Sequence, residues 1–334
     1  MESRAAEAKL WEIMSAFYYS RGLYAAVQLG LPDLLKTGPR TASELASLAG
    51  CDTHACFRLL RALATIGVFE QEQDRFALTQ LSNLLRSDVE RSQRAKVLVM
   101  VGDWEAWGEL PDIIRTGKKL FGGPARSSPY PEVKGTEADA GIFDEAMEAF
   151  YYDAPSPLLG CYEFTGTETV CDIGGGRGAQ LATLLDAHPQ MNGILFDLPE
   201  TIENRARAYM ASHGLASRCD CVGGDFFKSV PPGADLYLLR HVLHNWDDAK
   251  AINILTHVAR VLPDHGKVVV VDWVIRPDDS RPFNTWWDLC MLAFSGGGER
   301  TPEQHARLFS CAGLRFTRYL PAKLDSAIIE GIKV

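Results

Sequence analysis

The chain has 334 residues, too many for one compact core of ordinary size, so two or three folding units are expected. Hydrophobic residues make up 46% and charged residues 23%, a globular composition that excludes a disordered chain. A net charge of −9 argues against a protein built to hold a phosphate backbone, so no nucleic-acid partner is expected.

Met1 to Lys9 is charged, and Glu12, Ser15 and Arg21 interrupt the apolar residues beyond it, so no signal peptide is read. No apolar run reaches the length of a membrane span, and a cytoplasmic protein without a membrane partner is expected. Eight cysteines are scattered, with only Cys219 and Cys221 close together. No second pair completes a zinc set, so all are read as free thiols and no metal is assigned.

Residues 1–95 read as a mostly helical domain. Between 8 and 35, Trp11, Met14, Phe17, Tyr18, Val27, Leu31, Leu34 and Leu35 fall at helical spacing, an apolar surface wider than a small domain buries. A homodimer interface is its natural outlet. Thr41-Ala-Ser-Glu44 is a capping box ahead of a helix with Leu45, Leu48 and Ala49, stopped by Gly50. Asp52 can cap the next helix, which carries Phe57, Leu59, Leu60, Leu63 and Ile66. Val68-Phe69-Glu70 and Arg75 to Leu78 then form a small hairpin. Helix, helix and hairpin make a winged helix. Its second helix offers Arg58 and Arg61 but is mostly apolar, which favours dimerisation over DNA reading.

Residues 96–160 read as a helical connector broken at Gly102, Pro111, Gly117, Gly122-Gly123-Pro124, Pro129 and Pro131. Phe143, Met147, Phe150, Tyr151 and Tyr152 fall near its end, as core or as pocket lining. From 161 to 334 strands and helices alternate, the mark of a parallel sheet covered on both faces. Strands are expected at 169–173, 193–197, 219–223, 234–239, 267–272, 314–319 and 326–333. Thr301-Pro302-Glu303-Gln304 caps the last long helix.

Val170-Cys171-Asp172-Ile173-Gly174-Gly175-Gly176-Arg177-Gly178 is a strand, a glycine turn and a helix start, the nucleotide-cradling corner of an open α/β sheet. Ligands bind outside the carboxyl ends of such strands, where Asp172, Asp197, Asp225, Arg240 with His241, and Asp272 stand. The glycines, with Asp197 further on to accept ribose hydroxyls, also fit NAD. Asp172, however, would repel a diphosphate and welcome a cationic group. Asp225 and Phe226 offer an acid for an adenine amino group and a wall for its ring. S-adenosylmethionine, cationic and without phosphate, matches this rim better.

Asp-Ile-Gly-Gly-Gly-Arg-Gly at 172–178, Phe-Asp-Leu-Pro at 196–199, Gly-Gly-Asp-Phe-Phe at 223–227, His-Asn-Trp-Asp at 244–247 and Gly-Gly-Glu-Arg-Thr at 297–301 occur in that order. The chain in this respect resembles the small-molecule O-methyltransferases, including caffeate, acetylserotonin and bacterial polyketide O-methyltransferases. The resemblance spans nearly the whole chain. It implies a Rossmann-like class I methyltransferase sheet, an N-terminal winged-helix dimerisation domain, a homodimer and S-adenosylmethionine as cofactor. By the family's pattern Gly174, Asp197, Asp225, Phe226 and Arg240 contact the cofactor, with Asp172, Gly176, Leu198 and Trp246 from the same motifs. Arg240 stands where many relatives have lysine. His244 is similar to the family's general base, and Asp272 and Glu299 to the two acids flanking it. Asp272 replaces the glutamate of plant members, and so short an acid needs a small shift or a water to reach the imidazole.

The chemistry agrees. Ionising a phenol near neutral pH costs about 4 kcal/mol, and a positioned histidine supplies about 10²–10⁴-fold. An aliphatic alcohol asks for much more, so a phenolic hydroxyl of an aromatic metabolite is the expected acceptor. His241 and His244, near Asp247 and Asp248, suggest a metal, but no third ligand is evident from spacing and Asp247 suits a helix cap. Trp104, Trp107, Phe143, Met147, Tyr151, Trp287 and Asp288 are the residues expected to line the acceptor pocket. Three alternatives stay open: a relative repurposed for hydroxylation, decarboxylation or pericyclic chemistry, a ligand-sensing winged-helix regulator, and a nicotinamide dehydrogenase.

Overall fold

The Thr41 hydroxyl accepts the Glu44 N–H at 3.2 Å while the Glu44 carboxylate accepts the Thr41 N–H at 2.7 Å, and this reciprocal cap opens a helix. The computed structural model describes residues 2–102, 104–117, 141–143, 145–147, 149, 158–276, 282–322 and 326–334. They fall in two compact units, one from Met1–Glu105 with Gly122–Tyr152, the other from Ala106–Phe121 with Asp153–Val334.

In the first unit, α1 (Glu2–Gln28) is followed by β1 (Arg40–Thr41), α2 (Ala42–Ala49), α3 (Thr53–Ala64), β2 (Phe69–Glu72) and β3 (Arg75–Leu78). Asp52 caps α3 by accepting the Ala55 N–H at 2.8 Å. The three strands pair in the order β1-β3-β2, so the expected helix, helix and hairpin are present. Val27, Leu45, Leu60, Leu63, Phe69 and Phe76 fill the core between them. The start of α1 leaves Trp11, Met14, Phe17 and Tyr18 exposed, Trp11 by 62%. Phe143 and Met147 pack against Ala95, Val99 and Ala146. Tyr151, with Phe150, Tyr152 and the glycine and proline turns at 122–131, lies outside the described residues.

The second unit is built on runs such as Val268-Val269-Val270-Val271, which have no polar face to offer water and need cover on both sides. Its strands are β4 (Thr169–Ile173), β5 (Asn192–Asp197), β6 (Cys219–Gly223), β7 (Leu236–Arg240), β8 (Lys267–Trp273), β9 (Leu314–Pro321) and β10 (Ser326–Lys333). The order is β6-β5-β4-β7-β8-β10-β9. Neighbours are parallel from β6 to β8, and β10 runs antiparallel to both β8 and β9. All seven expected strands are there.

Alternate residues face opposite sides. Leu181, Leu184 and Leu185 of α4 (Ala179–Ala187) join Val170, Leu195, Leu236 and Val269 in one core cluster. Ala251, Ile254, Leu255 and Val258 of α5 (Asp248–Val261) join Cys171, Tyr237, Leu239 and Val270 in the other. Each buried valine, leucine or isoleucine among them contributes about 1.5–3 kcal/mol. All eight cysteines are free. No helix among the described residues is long and apolar enough to cross a membrane.

Candidate active site

The glycine turn after β4 is a corner where backbone conformation or close packing excludes ordinary side chains. Gly174 and Gly176 have φ of +68° and +59°, a region that L side chains rarely adopt. A Cβ on Gly175 would stand 2.5 Å from Leu195 Cδ1 and 2.7 Å from Asp172 Oδ2. Asp172 therefore lies beneath the turn, only 1% exposed, and its Oδ2 has no hydrogen-bond partner among the described residues. Burial pushes its pKa up to about 7, with Arg240 drawing it back and Asp197 adding to the rise.

Asp197 closes the far side of the corner. Its Oδ2 accepts the Gly176 N–H at 2.8 Å and its Oδ1 accepts the Leu198 N–H at 2.7 Å. Burial nevertheless raises its pKa, outweighing those hydrogen bonds. Asp225 accepts the Phe227 N–H at 2.9 Å and pairs with Lys228 at 3.2 Å. The Phe226 ring meets Trp246 at 6.2 Å, and a Cβ on Gly174 would stand 3.7 Å from it. Arg240, at the end of β7, donates to Gln180 at the start of α4. The expected cofactor residues are thus drawn from the ends of β4 to β7 to one edge of the sheet.

His244 sits in the single 3-10 turn Leu243–Asn245, between the end of β7 and the Asp247 cap of α5. Its Nδ1 stands 2.7 Å from Glu299 Oε1, and both side chains are buried. Burial works against protonating the ring, but the Glu299 carboxylate, with Asp272 behind it, outweighs burial and holds the His244 pKa above its ordinary value. Glu299 is itself placed by α6 (Pro282–Phe294), because its N–H donates to Asp288 Oδ1 at 2.8 Å. Burial raises the Asp288 pKa despite that bond.

Asp272 is 1% exposed, and neither carboxylate oxygen has a hydrogen-bond partner among the described residues. Burial pushes its pKa up to about 7, against the pull of His244. One of its oxygens lies within 4.8 Å of a His244 nitrogen, and Oδ1 stands 3.8 Å from His241 Nδ1. The absence of a third donor near His241 and His244, read from spacing, is thus corrected. The β7–β8 register pairs Arg240 with Val271, which brings Asp272 beside His241 across two strands, and linear spacing does not show that.

An aromatic wall stands against these histidines. Trp273 lies 4.3 Å from His241, 5.8 Å from His244, 5.6 Å from Phe283 and 4.8 Å from Trp287. Phe283 and Trp287, one helical turn apart, stack at 5.7 Å. Sequence reasoning misses Trp273 and Phe283 as site residues, though Trp273 follows Asp272 and Phe283 precedes Trp287 by four, which are usable signals; it reads His241 only at a strand end and as a metal-donor candidate. It misses Arg300 too, because the contacts of that residue are distant in sequence. Trp107 belongs to the same unit, edge-on to Phe294 at 5.8 Å. Trp104 belongs to the other unit, where it meets Phe17 at 5.7 Å, as do Phe143 and Met147.

Residues 107–315 match the O-methyltransferase domain, and residues 11–88 the O-methyltransferase dimerisation domain. The chain is 36% identical to mitomycin biosynthesis 6-O-methyltransferase of Streptomyces lavendulae, over 95% of this chain and 91% of that protein. It is 35% identical to phenazine O-methyltransferase PhzM of Lysobacter antibioticus, over 96% and 94%. The crystal structure of human N-acetylserotonin methyltransferase in complex with SAM superposes with a TM-score of 0.85 at 26% identity, covering 98% of this chain and 97% of that one. The chain is an enzyme of the O-methyltransferase family and carries that family's dimerisation domain.

Proposed function

We propose that this protein transfers the methyl group of S-adenosylmethionine to a phenolic hydroxyl of an aromatic small molecule, as a homodimer, with His244 as general base. The observation that carries the reading is the buried 2.7 Å contact between His244 Nδ1 and Glu299 Oε1 with Asp272 close by. Two relatives named for a phenazine and for N-acetylserotonin, both aromatic, support a flat acceptor.

The residues of the glycine corner suit the cofactor. Asp172 Oδ2, a buried acid oxygen without a partner, calls for a cationic group, and the space beside Gly176 is open to one. Asp172, Gly174 and Gly176 would hold its aminoacyl end, Asp197 with Leu198 its ribose, and Asp225, Phe226 and Trp246 its adenine side, with Arg240 beneath. When bound, S-adenosylmethionine supplies an electrophilic methyl group.

The chain's own part is proton transfer and alignment. With Nδ1–H donated to Glu299, Nε2 keeps the lone pair and accepts the phenolic proton, which later passes to water. Glu299 and Asp272 stabilise the imidazolium so formed, as a buried aspartate does in hydrolase triads. Trp287 and Asp288 on α6, together with Trp107, contribute to acceptor contacts. Trp104, Phe143, Met147 and Tyr151 are assigned to them on the sequence pattern.

The test is a panel of hydroxylated aromatics with S-adenosylmethionine, read by mass spectrometry for a gain of one methyl and for S-adenosylhomocysteine. His244→Ala is expected to lose about 10²–10⁴-fold in kcat while keeping cofactor affinity. Undiminished turnover in that variant overturns the base assignment.

A further inference from the structure

Resting on His244 as the base, we infer that Arg300 is a positioning residue for the reaction, fastening the turn that carries His244 to the segment that carries Glu299. A single 3-10 turn satisfies few of its own carbonyl groups: Leu243 accepts the Trp246 N–H at 3.1 Å, and the His244 and Trp246 carbonyl groups beyond it take donors from elsewhere. Those donors come from residues 298–300. Arg300 Nη1 donates to the Leu243 carbonyl at 3.0 Å, the Gly298 N–H to the His244 carbonyl at 2.9 Å, and Arg300 Nη2 to the Trp246 carbonyl at 2.7 Å. Arg300 Nε completes the set by donating to Asp248 Oδ1 at 2.9 Å, in the first turn of α5.

Glu299 lies between the two residues that grip the turn, so the partner of the imidazole is set in place by the same three-residue segment that sets the imidazole. The segment rests directly on the turn, since a Cβ on Gly297 would overlap the His244 carbonyl oxygen. A backbone bridge between Val274 and Arg300 ties its other side to the end of β8. Arginine suits this place in both shape and charge. Its planar fork satisfies two carbonyl groups and a carboxylate at once, whereas lysine has one compact charged head.

Arg300 is 6% exposed, and a charge so buried is tolerated when it is paired and hydrogen-bonded. Its charge also bears on the base. The groups around His244 are Glu299, Asp272, His241 beside it and His305 on α7 (Pro302–Cys311), with Arg300 as the cation among them. Arg300 opposes protonation of the imidazole that the two acids promote.

The experiment tracks the ring nitrogens of His244 by NMR during pH titration of the protein loaded with S-adenosylhomocysteine, as wild type, Arg300→Met and Arg300→Lys. The midpoint is expected to rise by about one pH unit in Arg300→Met and to return towards wild type in Arg300→Lys. The titration is read at saturating S-adenosylhomocysteine, since Arg300 also holds the carbonyl of Trp246 and its loss is expected to weaken binding of that ligand. A folded Arg300→Met protein with the wild-type midpoint overturns the inference, because a merely structural arginine would lower the melting temperature without moving the titration.

If neither Arg300 variant folds, Asp248→Ala keeps the question open to measurement by releasing Nε at the exposed end. Hydrogen exchange at the Gly298 amide should then quicken by about tenfold, and unchanged exchange overturns the inference. Neither readout depends on turnover. A moved titration alongside full activity in His244→Ala would therefore overturn the base assignment while the role of Arg300 in placing His244 stands.

Discussion

His244 Nδ1 and Glu299 Oε1 stand 2.7 Å apart with both side chains sealed from solvent, so the protonation of one is tied to the charge of the other. The folded His244 pKa lies above its ordinary value, and the base works only when neutral. The rate should thus climb with pH through a midpoint above about 6.5. Glu299→Gln should move that midpoint down and lower kcat about 100-fold or more, because the tautomer is no longer held. Stability carries the opposite sign. The contribution of the pair is full below about pH 6.5 and is lost as pH rises through the folded pKa, so the melting-temperature gap between wild type and Glu299→Gln should be widest in acid and narrow in base.

Asp172 makes a second proton-linked prediction. With its pKa near 7 in the free protein, it is largely protonated at pH 6, and a cationic ligand would drive off that proton. Calorimetry in buffers of differing ionisation enthalpy should detect release of up to about one proton when S-adenosylmethionine binds at pH 6, and little at pH 8.5. Asp172→Asn should weaken binding by about 10–100-fold. The same change should raise the melting temperature of the free protein above pH 7, where the buried carboxylate is charged and costs stability.

The glycines of the turn are not equivalent. Gly175→Ala places a methyl against Leu195 and Asp172, which should cost about 1–3 kcal/mol of stability. Gly176→Ala meets open space and costs only its positive φ, about 1 kcal/mol. Thermal denaturation of the two variants should rank them in that order.

The exposed aromatic face of α1 predicts the assembly state. Trp11→Glu combined with Phe17→Glu should convert a dimer into a monomer in sedimentation velocity, because burying two carboxylates in an apolar seam is costly and hot-spot aromatics carry about 2 kcal/mol or more. A double variant that remains dimeric would place the interface elsewhere.

Much of this was legible in the chain. Val170 to Ile173 followed by glycines marks a strand and turn, and Thr41, Asp52, Asp247 and Thr301 cap the helices their spacing suggests. These are local signals, set within a few residues. Arg300 is different, since it acts on Leu243, Trp246 and Asp248 across a strand and a helix, and no periodicity reports such a reach. His241 was legible at the end of its strand, though not in its backbone conformation. It holds φ of +52°, a left-handed conformation more often taken by glycine or asparagine, and that turns on the packing around the end of β7.

The place of β10 has a consequence for how the enzyme is made. Ser326–Lys333 leaves the ribosome after every residue of the site, yet it lies between β8 and β9, with Ala327 opposite Asp272. Until it arrives, the apolar run from Val268 to Val271 has a bare edge, and β9 has been made without a neighbour to pair with. A ribosome that stalls or a stop codon before Ser326 would therefore release an aggregation-prone chain rather than a weakened catalyst. The last strand decides whether the rest becomes an enzyme.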